Sequence, residues 1–282
     1  MAVWEIDFYR RPLHDEAENP LWELLICDRA GTLKHLVFCA QSDATADWLR
    51  HQLQQLLAEG HPKPDWVGVF RPQAFSLLEI AIQPFGIRLE PTRHTPTLKR
   101  WLEARSLVYP TLPNYTGQPY QPVTLDQPPP LPISETLLGI QWRFASLPAS
   151  DLITAFSDRL IPILNMPPEF LPLNLGLAST VLISGVVIDG GRRSMQLARW
   201  LEKICPVSLR YVSGAPDGLI LEAGLVDRWV IATFDDAEMA IAAQTYEARK
   251  QLGKGLHFLL IQPDDSGMTY TAFWLLKQEV EN

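Results

Sequence analysis

Three strand-length apolar runs, residues 4–9, 22–28 and 33–39, stand before the first helical periodicity, and nothing between them can form a helix. The first gap holds the breakers Pro12 and Pro20, and the second is the turn Asp28-Arg29-Ala30-Gly31. A parallel return needs a crossover of a dozen or more residues, usually helical, so these strands are confined to an antiparallel meander. Helical spacing then begins. Ser42 or Asp43 can cap a helix running to about Ala58, with Trp48, Leu49, Leu53, Leu56 and Leu57 on one face and Gly60 as its stop. Residues 66–70 read as a buried strand. Pro72 opens a second helix on Phe75, Leu78, Ile82 and Phe85, and Gly86 ends it before a short strand at 87–90. Thr95-Pro96 is a cap and first-turn pair for a third helix ending near Arg105. The order β-β-β-α-β-α-β-α is that of a ribonuclease H-like domain, placed at residues 1–108.

From Tyr109 onward proline dominates, with Tyr115 and Tyr120 interspersed and Pro128-Pro129-Pro130 near the end, so residues 109–130 read as an extended linker. Residues 131–282 then form the second domain. Strand patterns lie at 141–147 and 181–187, and a helix candidate at 151–160 precedes a proline-rich crossing around 162–172. Arg192-Arg193-Ser194 leads a helix to Ile204, and strands follow at 208–212, 219–222 and 229–233. Asp235 or Asp236 caps a helix to about Leu252, and strands at 256–262 and 271–276 close the chain. The core order α-β-β-β-α-β-β resembles a restriction-endonuclease-like mixed sheet. The fold class is therefore α/β (α+β) in two domains.

Two helices share a short echo: Leu98-Lys99-Arg100-Trp101-Leu102-Glu103 and Leu197-Ala198-Arg199-Trp200-Leu201-Glu202. Both are read as amphipathic, with Leu and Trp inward and Arg outward.

Catalytic templates do not complete themselves on this chain. A two-metal nuclease needs several carboxylates converging on the sheet. Asp7 lies on the first strand, yet Arg71 follows residues 66–70 where an acid would be expected. In the second half Glu222 lies on a strand, but the strand at 229–233 carries neither acid nor lysine. No GxSxG, GxxxxGK[ST] or GxGxxG occurs, and no CxxC or HxxxH pair suggests zinc. The histidines, including His257, read as surface or satisfied core groups. Cys27 and Cys39 sit in apolar strands as small hydrophobes, and Cys205 stands apart. No catalytic residue, metal or cofactor is assigned, and the chain is read as a non-enzymatic binder.

The positive signal is arginine beside aromatic residues in a chain of net charge −8. Such a balance argues against adhesion to nucleic acid over the whole surface and leaves local basic patches. Arg10, Arg11, Arg71, Arg93, Lys99 and Arg100 form one candidate contact set, with Arg93 and His94 placed just before a helix whose first-turn N–H groups favour phosphate. Arg192, Arg193 and Arg199 occupy the equivalent place at the echo helix and form a second set. Trp22, Trp48, Trp66 and Trp101 fall in apolar patterns and are read as core.

The segments 4–12, 22–28 and 69–73, then Pro91-Thr92-Arg93-His94-Thr95, Asp227-Arg228-Trp229-Val230-Ile231-Ala232, Gly255-Leu256-His257-Phe258-Leu259 and Ala272-Phe273-Trp274-Leu275-Leu276, resemble the signatures of the Tab/Atab (Tab-two) family in the same order. The resemblance spans nearly the whole chain. It implies an RNA-binding protein of oxygenic phototrophs, whose chloroplast members bind the leader of a photosystem I reaction-centre message and support its translation and photosystem assembly. Where those members show two adjacent arginines after the Ser/Thr, this chain has Arg93-His94, a weaker basic pair near neutral pH. Without a signal or transit pattern the chain reads as the cyanobacterial form, cytoplasmic or peripheral to the thylakoid, and no run approaches the ~18 apolar residues of a membrane span. The leading expectation is binding of single-stranded RNA; the competing one is a protein-binding assembly factor that contacts photosystem or translation proteins.

Overall fold

The computed structural model describes residues 2–125, 127–137, 139–156 and 159–278, and the chain divides into two compact units, residues 1–126 and 127–282. In the first unit β1 (Val3–His14), β2 (Pro20–Asp28) and β3 (Lys34–Ala40) form the meander. Helix α1 (Ala46–Ala58) leads to β4 (Trp66–Val69), α2 (Pro72–Ile82) to β5 (Arg88–Pro91), and α3 (Pro96–Val108) follows. The strand order is β3-β2-β1-β4-β5, with β4 parallel to β1 and β5 parallel to β4. This is the arrangement expected of the ribonuclease H-like order. Alternation along β1 divides the sheet: Trp4, Ile6 and Phe8 pack with Leu49, Leu53 and Leu56 of α1 and Leu78 of α2, while Leu25 and Cys27 of β2 pack with Leu98 and Leu102 of α3. Thr45 caps α1 by accepting from the Trp48 N–H, in place of Ser42 or Asp43.

Two features of this unit differ from the sequence reading. β1 runs on through Pro12 to His14, because a register shift between Arg10 and His14 relieves the ladder where the imide has no N–H to give. The segment read as the start of a linker is instead anchored to the unit as a strap. The His14 N–H donates to the Asn114 carbonyl, the Thr116 N–H donates to the Pro12 carbonyl, and Val123 and Leu125 pack against the α3 core. A proline-rich strap offers carbonyls without competing N–H groups, which suits it to the cationic face described below.

The second unit has two sheets. One has the order β10-β11-β12-β6, from β6 (Leu131–Pro132), β10 (Pro206–Val212), β11 (Asp217–Ala223) and β12 (Asp227–Phe234). The other is β7-β9-β13-β14-β8, from β7 (Gln141–Pro148), β8 (Ile163–Asn165), β9 (Leu182–Asp189), β13 (Leu256–Gln262) and β14 (Ala272–Lys277). Leu259 and Ile261 of β13 face a core shared with Leu209, Leu219 and Leu221 and with Leu197 and Leu201 of α5 (Ser194–Ile204). Phe258 and Leu260 face the opposite core with Leu152 and Phe156 of α4 (Ala149–Phe156). The helix expected at 151–160 is thus α4, begun earlier, and residues 157 and 158 lie outside the described residues. Asp236 caps α6 (Ala237–Leu252) by accepting from the Met239 N–H. The mixed-sheet α+β architecture stands; β6 and β8 are two and three residues long and lie in proline-rich stretches that read as loop.

Side chains from α6 and β13 close the outer edge of β10. The Leu209 N–H donates to His257 Nε2 at 2.9 Å, the Leu209 carbonyl accepts from Lys250 Nζ at 2.7 Å, and the Tyr211 N–H donates to Glu247 at 2.8 Å. An edge strand covered in this way cannot pair with another chain.

Candidate nucleic-acid interface

The nine cations singled out in the sequence separate into buried, half-buried and exposed groups. Arg11 and Arg71 are buried, on the face of the first sheet that α3 and the strap cover. Asp7 accepts from Arg11 Nη2 at 2.6 Å through one oxygen and from Arg71 Nε at 2.7 Å through the other. Glu23 accepts from Arg11 Nε at 2.7 Å, from Arg105 Nη2 at 2.6 Å and from the Tyr109 hydroxyl. Arg11 also reaches the Tyr120 hydroxyl at 2.6 Å, and Arg71 donates to the Pro122 carbonyl while lying over the Tyr9 ring at 4.4 Å. Three guanidinia therefore answer two buried carboxylates. The reading of Arg11 and Arg71 as surface contacts is corrected: Arg11 points from β1 into the unit, and Arg71, between β4 and α2, turns inward to Asp7 and the strap.

The start of α3 is likewise different from expectation. Thr95 is buried and makes no side-chain cap bond. Glu5 of β1 takes that place, its carboxylate accepting from the Leu98 N–H at 2.8 Å. Burial pushes the Glu5 carboxyl above its ordinary range, against the lowering pull of that amide and of Arg29 and Arg100. The first-turn N–H at Leu98 is therefore already answered by a residue of the same chain, and a phosphate is not needed there.

The remaining cations stay near or at the surface. Arg10 is exposed on β1 opposite Trp22, and Arg100 is exposed on α3. Arg93 and Lys99 are half-buried, and Lys99 Nζ donates to the Arg93 carbonyl at 2.6 Å. In the second unit Arg192, Arg193 and Arg199 are exposed at the start and on the outer face of α5. The echo helices behave alike: Leu98, Leu102, Leu197 and Leu201 are buried, and Arg100 and Arg199 face outward. Their tryptophans are only half-buried, as are Trp22, Trp48 and Trp66, so the core reading of these indoles is incomplete.

The sequence reading missed Arg29 and Lys34. Arg29 is exposed at the β2–β3 turn with its guanidinium 5.2 Å from the centroid of the Trp66 ring, and Lys34 is exposed at the start of β3 with its ammonium 5.8 Å from that of Trp101. The Thr97 hydroxyl ties the turn to α3 by donating to the Arg29 carbonyl at 2.9 Å. The signal was available in part: a turn tip and a strand start are exposed by default. That each meets an indole follows from strand pairing and from the packing of α3, which sequence does not reveal.

Residues 3–105 match the family model described as RNA-binding protein Tab2/Atab2 N terminal, and residues 120–277 match the one described as RNA-binding protein Tab2/Atab2, C-terminal domain. The chain belongs to the Tab2/Atab2 family. Among relatives of this Tab2/Atab2 member, the chloroplastic TAB2 homolog of Zea mays is 30% identical over 279 residues, covering 97% of this chain and 70% of the relative. That of Arabidopsis thaliana is 27% identical over 281 residues, covering 97% and 74%. Among solved structures, the HTLV-2 integrase catalytic core domain in complex with magnesium, in its dimeric form, covers 39% of this chain and 75% of its own at 18% identity and a TM-score of 0.25. A simian T-cell lymphotropic virus intasome in complex with PP2A regulatory subunit B56 gamma covers 52% and 62% at 13% identity and a TM-score of 0.29. Likeness that slight carries no argument about this Tab2/Atab2 chain. Among its described residues no group of three or more His, Cys, Asp or Glu is placed to hold a metal ion, and no helix is long and apolar enough to cross a membrane.

Proposed function

We propose that this Tab2/Atab2 family member binds single-stranded RNA without acting on it chemically, and that its target is the leader of a photosystem I reaction-centre message in a phototrophic cell. Membership of an RNA-binding family, matched in both halves of the chain, is the observation that carries the reading. The disposition of charge supports it. Exposed Arg10, Arg29, Lys34 and Arg100 lie on the first unit, and exposed Arg192, Arg193 and Arg199 lie on the second, in a chain of net charge −8. Arginine suits the task because its planar fork grips phosphate and stacks on unpaired bases. A purely binding role is favoured by Asp7 of β1, whose two oxygens are both taken by guanidinia.

Crosslinking in the native cell, followed by sequencing of the bound RNA and identification of co-purified proteins, tests this directly. Enrichment of a photosystem message leader is the expected outcome; recovery of proteins with no RNA would replace the reading with that of a protein-binding assembly factor. The electrostatic part is read from salt dependence. Arg192→Ala with Arg193→Ala should lower the slope of log affinity against log salt by roughly 1.4, at about 0.7 per lost contact on a single strand. An unchanged slope would remove α5 from the interface.

A further inference from the structure

The α3 side of the first sheet carries two indoles, each with a cation lying over its ring. The ladder aligns Lys34, Cys27, Glu5 and Gly68 in one row across β3, β2, β1 and β4. Lys34 and Gly68 therefore stand three strand spacings apart, roughly 14 Å. Trp66 is two residues before Gly68 and shares its side of the sheet, and Trp101 lies on α3, over which Lys34 reaches. Gly68 is close to the Trp66 ring: a Cβ there would come within 3.1 Å of the indole and 3.2 Å of Thr92, so glycine lets the ring approach the strand closely. Arg100 emerges from α3 and bonds to Pro96 and Thr97, near enough to Glu5 to act on its carboxyl as Arg29 does. Three acids near these cations are engaged by other groups or buried. Asp28 accepts from Thr32 and from the Leu33 N–H, Glu90 pairs with Arg88, and Glu5 is buried at the start of α3.

Resting on the RNA reading above, we infer that Trp66 with Arg29, and Trp101 with Lys34, are two slots for unpaired nucleobases, with Arg100 as a phosphate contact on the path between them. Each slot has an indole held by the fold as its floor and a long, exposed side chain as its lid. A base enters by displacing the cation outward and is then stacked on the ring, with the cation against its other face or its phosphate. Both halves of the contact suit a π-face of any sequence. A base inside a duplex is stacked on its neighbours and cannot enter, so the arrangement selects single strands.

The test uses the full chain with twelve-residue oligouridylate, free or annealed to oligoadenylate, at fixed salt. Tryptophan emission and affinity are both followed. The free strand should bind roughly tenfold or more tightly than the duplex and should quench part of the emission, because a stacked base contacts the indole. Arg29→Ala with Lys34→Ala, both at exposed positions, should leave folding intact and weaken the free strand roughly tenfold. Trp66→Phe with Trp101→Phe should retain most of the affinity, since phenyl rings also stack, while the quench disappears. That pattern separates stacking from a merely structural role for the indoles. Equal binding of strand and duplex, or an unchanged affinity in the folded Arg29/Lys34 double variant, would overturn the slots while leaving RNA binding in place. A wild-type chain that binds neither form would overturn the RNA reading and the slots with it. Loss of a co-purified protein from the double variant, with RNA affinity unchanged, would assign the surface to a protein partner and overturn the slots as well.

Discussion

Acidification should destabilise the second unit through His257. Its Nε2 faces the Leu209 N–H, which can only donate, and its Nδ1 lies 2.8 Å from the Gly255 carbonyl, which can only accept. The bonding therefore fixes the neutral ring with its proton on Nδ1. Protonating Nε2 would set one N–H against another in a fully buried place, beside the Lys250 ammonium. Burial first, and then Lys250, push the His257 pKa down from 6.5 to about 3. The unfolded chain consequently binds a proton between pH 6.5 and about 3 that the folded chain refuses. The stabilising effect of the neutral ring is complete above pH 6.5 and is lost as pH falls, by about 1.4 kcal/mol per unit. From pH 8 to pH 5 the loss is about 2 kcal/mol. Urea unfolding at the two pH values, with protection of the Leu209 amide from hydrogen exchange as the local readout, measures it. His257→Gln cannot titrate, and its amide oxygen can still accept from Leu209. The drop in stability from pH 8 to pH 5 should therefore be about 2 kcal/mol smaller in the variant than in the wild type. Equal drops in the two proteins would refute the reasoning.

The buried network of the first unit gives a sharp contrast between neighbours. Arg11→Met should cost about 3–5 kcal/mol by stripping a partner from both Asp7 and Glu23, whereas Arg10→Ala should change stability by about 0.5 kcal/mol or less, as thermal or urea unfolding will show. Tyr120→Phe removes one bond to the buried Arg11 guanidinium and should cost about 1.5–3 kcal/mol, with earlier cleavage of the strap in limited proteolysis. Gly185→Ala would set a methyl 2.3 Å from the Phe258 ring, so unfolding midpoints should fall by the equivalent of about 1–3 kcal/mol or more.

Much of this architecture was legible because it is local. The meander, the βα units and the echo helices are written in periods of two and 3.6 residues, and Pro72 and Asp236 mark helix starts by their own chemistry. What escaped was set by pairing across distance. Pro12 signals a break to its neighbours, yet the strap residues Asn114 and Thr116 carry β1 through it. Thr95 has the chemistry of a cap, but Glu5, ninety-three residues earlier, reaches Leu98 instead. Of the candidate site, Arg100 and Arg199 were legible from the face of a helix. Arg11 and Arg71 were not, since neither a charge beyond a bulge in β1 nor one between β4 and α2 shows which side it faces or what waits there. Arg29 and Lys34 carried too little signal alone, and only the β1–β4 pairing and the packing of α3 bring them to their indoles.

The same distances explain how an acidic chain keeps a cationic face. A two-metal centre requires carboxylate lone pairs that remain open to ions. On this sheet Asp7 has both oxygens committed, and Arg71 stands just past the end of β4 where a further acid would complete such a centre. A guanidinium does not lose its charge or exchange with solvent as a bound ion does, so the balance is fixed within the chain. Three arginines answer Asp7 and Glu23 from inside the unit, and Glu5 beside them accepts from the Leu98 N–H. The carboxylates under α3 are therefore matched by groups of the chain itself. The field above the helix is left to Arg29, Lys34 and Arg100, the three exposed cations on which the proposed base slots depend.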